Sequence, residues 1–390
     1  MGRATTVPVT PSVVAWAIHE SGFSIQGLAE DLGLAAKTLN DWSKGIREPR
    51  LTQLRELAAK LKRPLAVFLL PAPPTSLVPE VQFRRSAASR RSALNPEERR
   101  RLREAARLQR ILSWMGRELT EALPAVPHAS TSDDPTVIAQ AVRERLALSV
   151  KEQVSWSSGS AALHAWRDAL ENSGVSVLML SIGENSCRGF SLWDERVPLI
   201  AVNTSWNAEA RIFTLFHEYG HLLTRTNSAC LEGPFRRTVN QLDSVERWCE
   251  RFAAAVLLPS DHLTSYVARL AGPDGRWTPT LESTGRIARH FKVSLRATTL
   301  RLIELELASW GLYGSLPAQI DRKPETGGGG TGRTRAVVRS DQYGGRTIGL
   351  FTDAVKRDLI GAGDVLDYLN IPPASLQMLR TKGESSDGRV

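Results

Sequence analysis

Five consecutive residues limit the folds open to this chain: His217-Glu218-Tyr219-Gly220-His221, set between Arg211-Ile212-Phe213-Thr214-Leu215-Phe216 and Leu222-Leu223. The apolar residues on either side call for a buried helix. On a helix, positions 217 and 221 share one face, so their imidazoles can converge on a single ion. Glu218, beside His217, can reach a ligand of that ion without binding it. This is the H-E-x-x-H arrangement of two zinc ligands and a general base. Gly220 removes a side chain where backbone or substrate could approach.

A catalytic zinc takes three protein ligands and keeps an open position. The third is sought in the run Asp243-Ser244-Val245-Glu246-Arg247-Trp248-Cys249-Glu250-Arg251-Phe252, where Trp248, Phe252, Ala255 and Val256 mark a second buried helix ending near Pro259. Glu246 and Glu250 lie four apart on one face. We assign Glu246 to the metal and Glu250 to the outward N–H of a metal histidine. Cys249 is the competing ligand, turned away from Glu246 and suited to packing as a small hydrophobe. Ahead of the pentad, 175–180 and 197–203 read as strands, and 188–192 as a short edge strand between them. An extended peptide could add beside Gly189-Phe190-Ser191. Tyr219, His262 and Tyr266 are candidate donors to a tetrahedral oxyanion.

The remaining chain divides around this core. With 390 residues, of which 42% are hydrophobic and 23% charged, two or three soluble domains are expected. No apolar run is long enough to span a membrane. No secretory segment follows Met1, and the three cysteines are too few and scattered for a disulfide framework. The cytoplasm is the expected location. The net charge of +9 suits an acidic partner such as nucleic acid.

Residues 7–72 read as a small all-helical domain. Ser24 can cap a helix over Ile25–Asp31, Gly33 supplies a tight turn, and a second short helix covers Ala36–Ser43. The stretch L-A-E-D-L-G-L-A-A-K-T-L-N-D-W-S-K-G-I-R-E-P resembles the helix-turn-helix of the phage-repressor (Xre/Cro) family. The resemblance implies that the second helix enters the major groove. The matching exposed positions are Ala35, Ala36, Lys37, Thr38, Asn40 and Asp41. Lys37 and Thr38 would meet phosphate and Asn40 a base edge, with Lys44 and Arg47 around the turn favouring phosphate. Asp41 would be repelled by it.

Residues 73–134 combine a proline-rich strap with a basic helix. The apolar residues between Pro64 and Pro74 suggest packing on a neighbouring domain. Asn95 and Pro96 start a helix whose arginines pair with Glu97, Glu98 and Glu104 or are solvated. Residues 135–320 hold the pentad, and 286–307 reads as helical, with Ile287, Phe291, Leu295, Leu300, Leu302 and Ile303 apolar. The glycines 327–330 make a flexible break. A small module follows at 333–380, in which two apolar stretches flank a Gly344-Gly345 turn. The tail 383–390 reads as disordered.

The runs R-G-F-S-L-W-D-E-R-V-P-L-I-A-V-N, R-I-F-T-L-F-H-E-Y-G-H-L-L and E-R-W-C-E-R-F-A-A-A-V-L-L-P resemble the ImmA/IrrE metallopeptidases over about 175–260. The resemblance implies an α+β fold: a gluzincin-like domain with a small sheet and the H-E-x-x-H helix, here preceded by the all-α helix-turn-helix domain. It implies Zn2+, with Mn2+ or another divalent ion as alternatives, held by His217, His221 and Glu246, with Glu218 as catalytic base. Family members usually carry Asn where this chain has Glu250. The implied activity is cleavage of a protein substrate, a transcriptional repressor, which derepresses stress or mobile-element genes. The alternative is a DNA-binding regulator, or a toxin–antitoxin component, with a structural or sensory metal.

Overall fold

The computed structural model describes residues 6–74, 82–83, 94–124, 126–226, 228–230, 241–271, 277–323, 335–369 and 371. The glycines 327–330, the tail 383–390 and Arg84, Arg85, Arg90 and Arg91 lie outside them. The chain forms two compact units. One comprises 1–79 and 90–106, the other 80–89 and 107–390.

The first unit is helical: α1 (Pro11–Ser21), α2 (Ile25–Asp31), α3 (Ala36–Ser43), α4 (Leu51–Lys60) and a 3-10 turn, Leu65–Leu69. Local chemistry sets the breaks. Gly22 ends α1 in the left-handed region, and the Ser24 hydroxyl accepts the Gly27 amide at 3.0 Å to start α2. Leu28, Leu39, Trp42, Leu54 and Leu57 fill the core. The apolar strap, expected on a neighbouring domain, begins instead as the 3-10 turn and buries Phe68 in this same core. The first half of α5 (Pro96–Glu118) completes the unit. Asn95 Oδ1 accepts the Glu98 amide at 2.8 Å, and the Glu98 carboxylate accepts the Asn95 amide at 2.6 Å, forming a reciprocal cap. Arg100 and Arg101 are paired with Glu97 and Glu104 on the same helix.

The second unit is α+β. It holds the rest of α5, then α6 (Pro135–Arg145), α7 (Val150–Ser155) and α8 (Gly159–Asn172). A five-stranded sheet follows, built from β1 (Gln82–Phe83), β2 (Ser176–Leu180), β3 (Gly189–Leu192), β4 (Leu199–Asn203) and β5 (Ser228–Cys230) in the order β1-β5-β3-β4-β2. β2 runs parallel to β4, while β3 is antiparallel to both β4 and β5. Every residue of β3 and β4 is buried, as expected of strands covered on both faces. Two sequence expectations are corrected here. β3 is an inner strand and not an edge, and the backbone beside Gly189-Phe190-Ser191 is already paired with Cys230, Ala229 and Ser228. Peptide addition at that position is therefore closed in this conformation.

Helices α9 (Ala208–Leu223), α10 (Gln241–Leu257), α11 (Ser260–Arg269), α12 (Leu281–Phe291), α13 (Leu295–Glu304) and α14 (Trp310–Gly314) follow. α9 packs over β3 and β4, and α10 crosses both α9 and α6. Trp166 of α8 meets Phe216 of α9 edge-on at 4.8 Å and Tyr219 of α9 lies 6.3 Å from Phe252 of α10, joining the three helices in one core. Residues expected as a C-terminal module form α15 (Arg335–Tyr343), α16 (Gly345–Lys356) and α17 (Ala362–Leu369) within this unit. The Gly344-Gly345 pair starts α16 and does not form a turn between strands. The buried Glu171 carboxylate accepts the Gly345 amide at 2.7 Å, so the glycines serve a helix N-terminus. Among the described residues no helix is long and apolar enough to cross a membrane.

Candidate metal centre

Asn207 opens α9 by accepting the Ala210 amide at 2.8 Å. Ten consecutive residues from Thr214 to Leu223 are then buried. Two glycines allow this depth. A Cβ on Gly189 of β3 would come within 2.7 Å of Thr214 Cγ2 and 3.4 Å of Glu218 Cγ. A Cβ on Gly220 would meet Cys249 of α10 at Sγ, Cβ and Cα, at 3.0, 3.2 and 3.3 Å. Gly189 thus seats the turn bearing Glu218 on the sheet, and Gly220 lets α10 bring Glu246 across.

Three side chains converge at that crossing. His217 Nε2 lies 3.2 Å from Glu246 Oε2, His221 Nε2 lies 3.4 Å from Glu246 Oε1, and the two Nε2 atoms are 3.3 Å apart. Ligands held tetrahedrally at about 2.0–2.1 Å from zinc are separated by roughly 3.3–3.4 Å. The three separations are on that scale, with the two histidines facing different oxygens of the Glu246 carboxylate. Both histidines are buried and Glu246 nearly so. His217, His221 and Glu246 form a group able to hold a metal. Two imidazoles and one carboxylate are a donor set suited to zinc and to other first-row divalent ions.

The charges are coupled. Burial works against ionisation of Glu246, but the adjoining His221 and His217 outweigh it and hold the carboxyl well below its usual range. Burial likewise opposes a charged His221, while Cys249 and Glu246 raise its pKa well above the ordinary imidazole value. The site is thus prepared for positive charge next to a fixed carboxylate.

Around the group, the structure sorts the remaining candidates. Glu218 is fully buried beside His217 on the same helix. Glu250 is buried one turn beyond Glu246 and is not part of the three-residue group. Cys249 packs at the α9–α10 crossing, fully buried, and also stands outside the group. Tyr219 points into the apolar core near Phe252, and its hydroxyl has no hydrogen-bond partner among the described residues. Tyr266 stacks on His290 at 4.0 Å. His262 lines a separate cavity of about 610 Å³ with Arg143, Ser149 and Pro259. The outer nitrogen of His221, Nδ1, meets Thr226 Oγ1 at 2.9 Å. Sequence reasoning missed Thr226, because it lies past the helix end and belongs to no periodic pattern.

In the helical unit, Lys37, Lys44 and Arg47 are exposed, and Thr38 and Asn40 are partly so. Asp41 is only 8% exposed and is not a surface position.

A buried helix carrying two histidines one turn apart, crossed by a helix that adds a carboxylate over a small mixed sheet, defines a candidate metal-dependent hydrolase. Residues 170–302, which include all of these groups, match the family model of the IrrE N-terminal-like domain, Peptidase_M78. This match supports a metallopeptidase of the ImmA/IrrE type, and with it a protein substrate. Comparison with curated proteins gave no match.

Proposed function

We propose that this chain is a zinc-dependent endopeptidase of the cytoplasm that cleaves a transcriptional repressor. His217, His221 and Glu246 hold the ion, Glu218 is the catalytic base, and Glu250 is an outer partner to a metal histidine. The observation that carries the reading is the set of three ligand separations, all between 3.2 and 3.4 Å, with Glu218 next in sequence on the same buried helix. A bound Zn2+ supplies Lewis-acid polarisation of the scissile carbonyl. Glu218 takes the proton of the attacking water and returns it to the leaving amine. It is fully buried, with Gly189 of β3 packed close to its side chain. The carboxylate of Glu246 balances the ion's charge inside an apolar core.

The test has two arms. Metal analysis of wild type, His217→Ala and Glu246→Ala should show one bound ion in the first and loss in both variants. Glu218→Gln should retain the ion and lose cleavage of a co-encoded repressor. Retained cleavage in Glu218→Gln would overturn the mechanism.

A second reading, that the helical unit docks on DNA, is favoured by exposed Lys37 in the first turn of α3 and exposed Lys44 and Arg47 just past its end. In it Thr38 joins the phosphate contacts and Asn40 meets a base edge. A regulator or toxin–antitoxin component with a sensory metal would shift DNA in a salt-sensitive manner and cleave no co-encoded regulator.

A further inference from the structure

The last turn of α9 closes on a backbone cap of a kind that also ends other helices of this chain, here with a side chain that ties it down. The Thr226 amide donates to His221 O at 2.9 Å and the Arg225 amide to Leu222 O at 3.2 Å. This pair of bonds is a Schellman cap, in which the residue at the position of Arg225 adopts a left-handed conformation and is most often glycine. Arg225 has φ 57°. A non-glycine residue there carries a backbone cost of roughly 1 kcal/mol or more. The arginine side chain is fixed in three ways: to Leu222 O at 2.7 Å, to Val126 O at 3.0 Å, and with its guanidinium 3.5 Å over the Trp193 ring. The helix end is thus held firmly in a reversed path. That path returns Thr226 over the turn containing His221.

There, Thr226 Oγ1 lies 2.9 Å from His221 Nδ1, 3.3 Å from His221 O and 3.0 Å from Thr224 Oγ1. Thr224 Oγ1 in turn donates to Gly220 O or His221 O, each at 3.2 Å. The hydrogen-bond directions follow from valence. His221 presents Nε2 to His217 and Glu246, so Nε2 must be the lone-pair nitrogen when a metal is held. Nδ1 then carries the proton and donates it to Thr226 Oγ1. The threonine hydroxyl passes its own hydrogen on to His221 O or Thr224 Oγ1.

We infer that Thr226 is a positioning residue for metal binding: set by the Arg225 cap, it fixes the ring orientation and tautomer of His221. The inference rests on the reading of His217, His221 and Glu246 as metal ligands. Outer partners of metal histidines commonly govern affinity by ten- to a hundredfold. The residue acts through His221 and touches no substrate.

The test is zinc affinity of the full chain, measured by chelator competition on the metal-free protein, for wild type, Thr226→Val, Thr226→Ser and Arg225→Gly. Valine keeps the shape and removes the acceptor, so zinc affinity is expected to fall about ten- to a hundredfold. Serine keeps the hydroxyl and should bind within a fewfold of wild type. Arg225→Gly suits the left-handed position but removes the fixing contacts, so a fall between the other two is expected. Thermal unfolding of the metal-free forms should be little changed in the two threonine variants. Valine binding as tightly as wild type, or serine as weakly as valine, would overturn the inference. So would a metal-free destabilisation of valine that accounts for its whole loss. A wild type that takes up no zinc would instead remove the metal reading itself, and this inference with it.

Discussion

Gly220 of α9 and Cys249 of α10 meet so closely that a side chain on the first would press on the second. A Cβ at 220 would lie 3.0 Å from the Cys249 sulfur and 3.3 Å from its Cα. The missing side chain at 220 therefore lets the helix that carries the two histidines and the one that carries Glu246 come close. The conflict is partly with atoms that no substitution at 249 can remove.

Gly220→Ala tests this spacing. Alanine gains about 1 kcal/mol of helix propensity, while overpacking a close crossing costs about 1–3 kcal/mol. The expected net is a loss of roughly 1 kcal/mol in metal-free stability by denaturant unfolding. Metal affinity should also fall, because any relief separates Glu246 from the histidines. Adding Cys249→Ala should recover only part of either loss, since the β-carbon and the backbone at 249 still stand in the way. Full recovery would show that the sulfur alone sets the spacing.

The convergence of His217, His221 and Glu246 was the most legible part of the sequence, and the reason is periodicity. His217 and His221 follow from a four-residue interval, and Glu246 from a second buried helix with its own apolar stripe. The parts that were not legible depend on single residues. β5 is three residues long and β1 two, too short for any alternation to register, so β3 looked like an edge. Thr226 reaches His221 through a cap whose left-handed residue is arginine, and nothing in a glycine-based signal marks it. Asp41 looked exposed by its place in the motif, yet the packing of α3 covers it. Gly344-Gly345 carries a strong turn signal that the buried Glu171 converts into a helix start.

Tyr219, a candidate oxyanion donor by sequence, faces the core, and its removal should leave cleavage intact. Burial pushes its pKa up from 10.0 to about 12. The folded chain then keeps the proton that the unfolded chain loses. Its contribution is present below pH 10.0 and disappears as the pH rises toward about 12. Tyr219→Phe should flatten this alkaline limb, which amounts to on the order of 2–3 kcal/mol. At neutral pH it should be neutral or stabilising by about 1 kcal/mol, because the hydroxyl is buried without a partner among the described residues. Unfolding curves from pH 7 to 11.5 give the answer (roughly one curve per half unit). An unchanged alkaline slope would mean the ring is not buried as described.

Gly344 has φ 82° and ψ 166°, a region open almost only to glycine, and a Cβ there would collide with the Glu171 carboxylate. Glu171 is itself buried against Arg167 at 2.9 Å. Gly344→Ala is therefore expected to cost about 2–4 kcal/mol, combining backbone strain with a disturbed buried ion pair. Gly349→Ala, with open space around it on the same helix, should stabilise by up to about 1 kcal/mol. Equal effects at the two positions, read as shifts in thermal midpoint, would contradict the described start of α16.

The proposed docking of the helical unit on DNA predicts a particular pattern of salt dependence. Each phosphate contact contributes about 0.9 to the slope of log affinity against log salt concentration. Lys37→Ala, Lys44→Ala and Arg47→Ala should each weaken binding to any duplex and reduce that slope by about 0.9. Asn40→Ala should leave the slope unchanged and alter only the preference among sequences, as expected of a group at a base edge. Arg100 and Arg101, already paired with Glu97 and Glu104 on α5, should contribute nothing to the slope when replaced. Fluorescence titrations across salt concentrations separate the two sets. A slope that responds to Arg100 and Arg101 but not to Lys37, Lys44 and Arg47 would place any nucleic-acid contact on α5 and remove α3 from the interface.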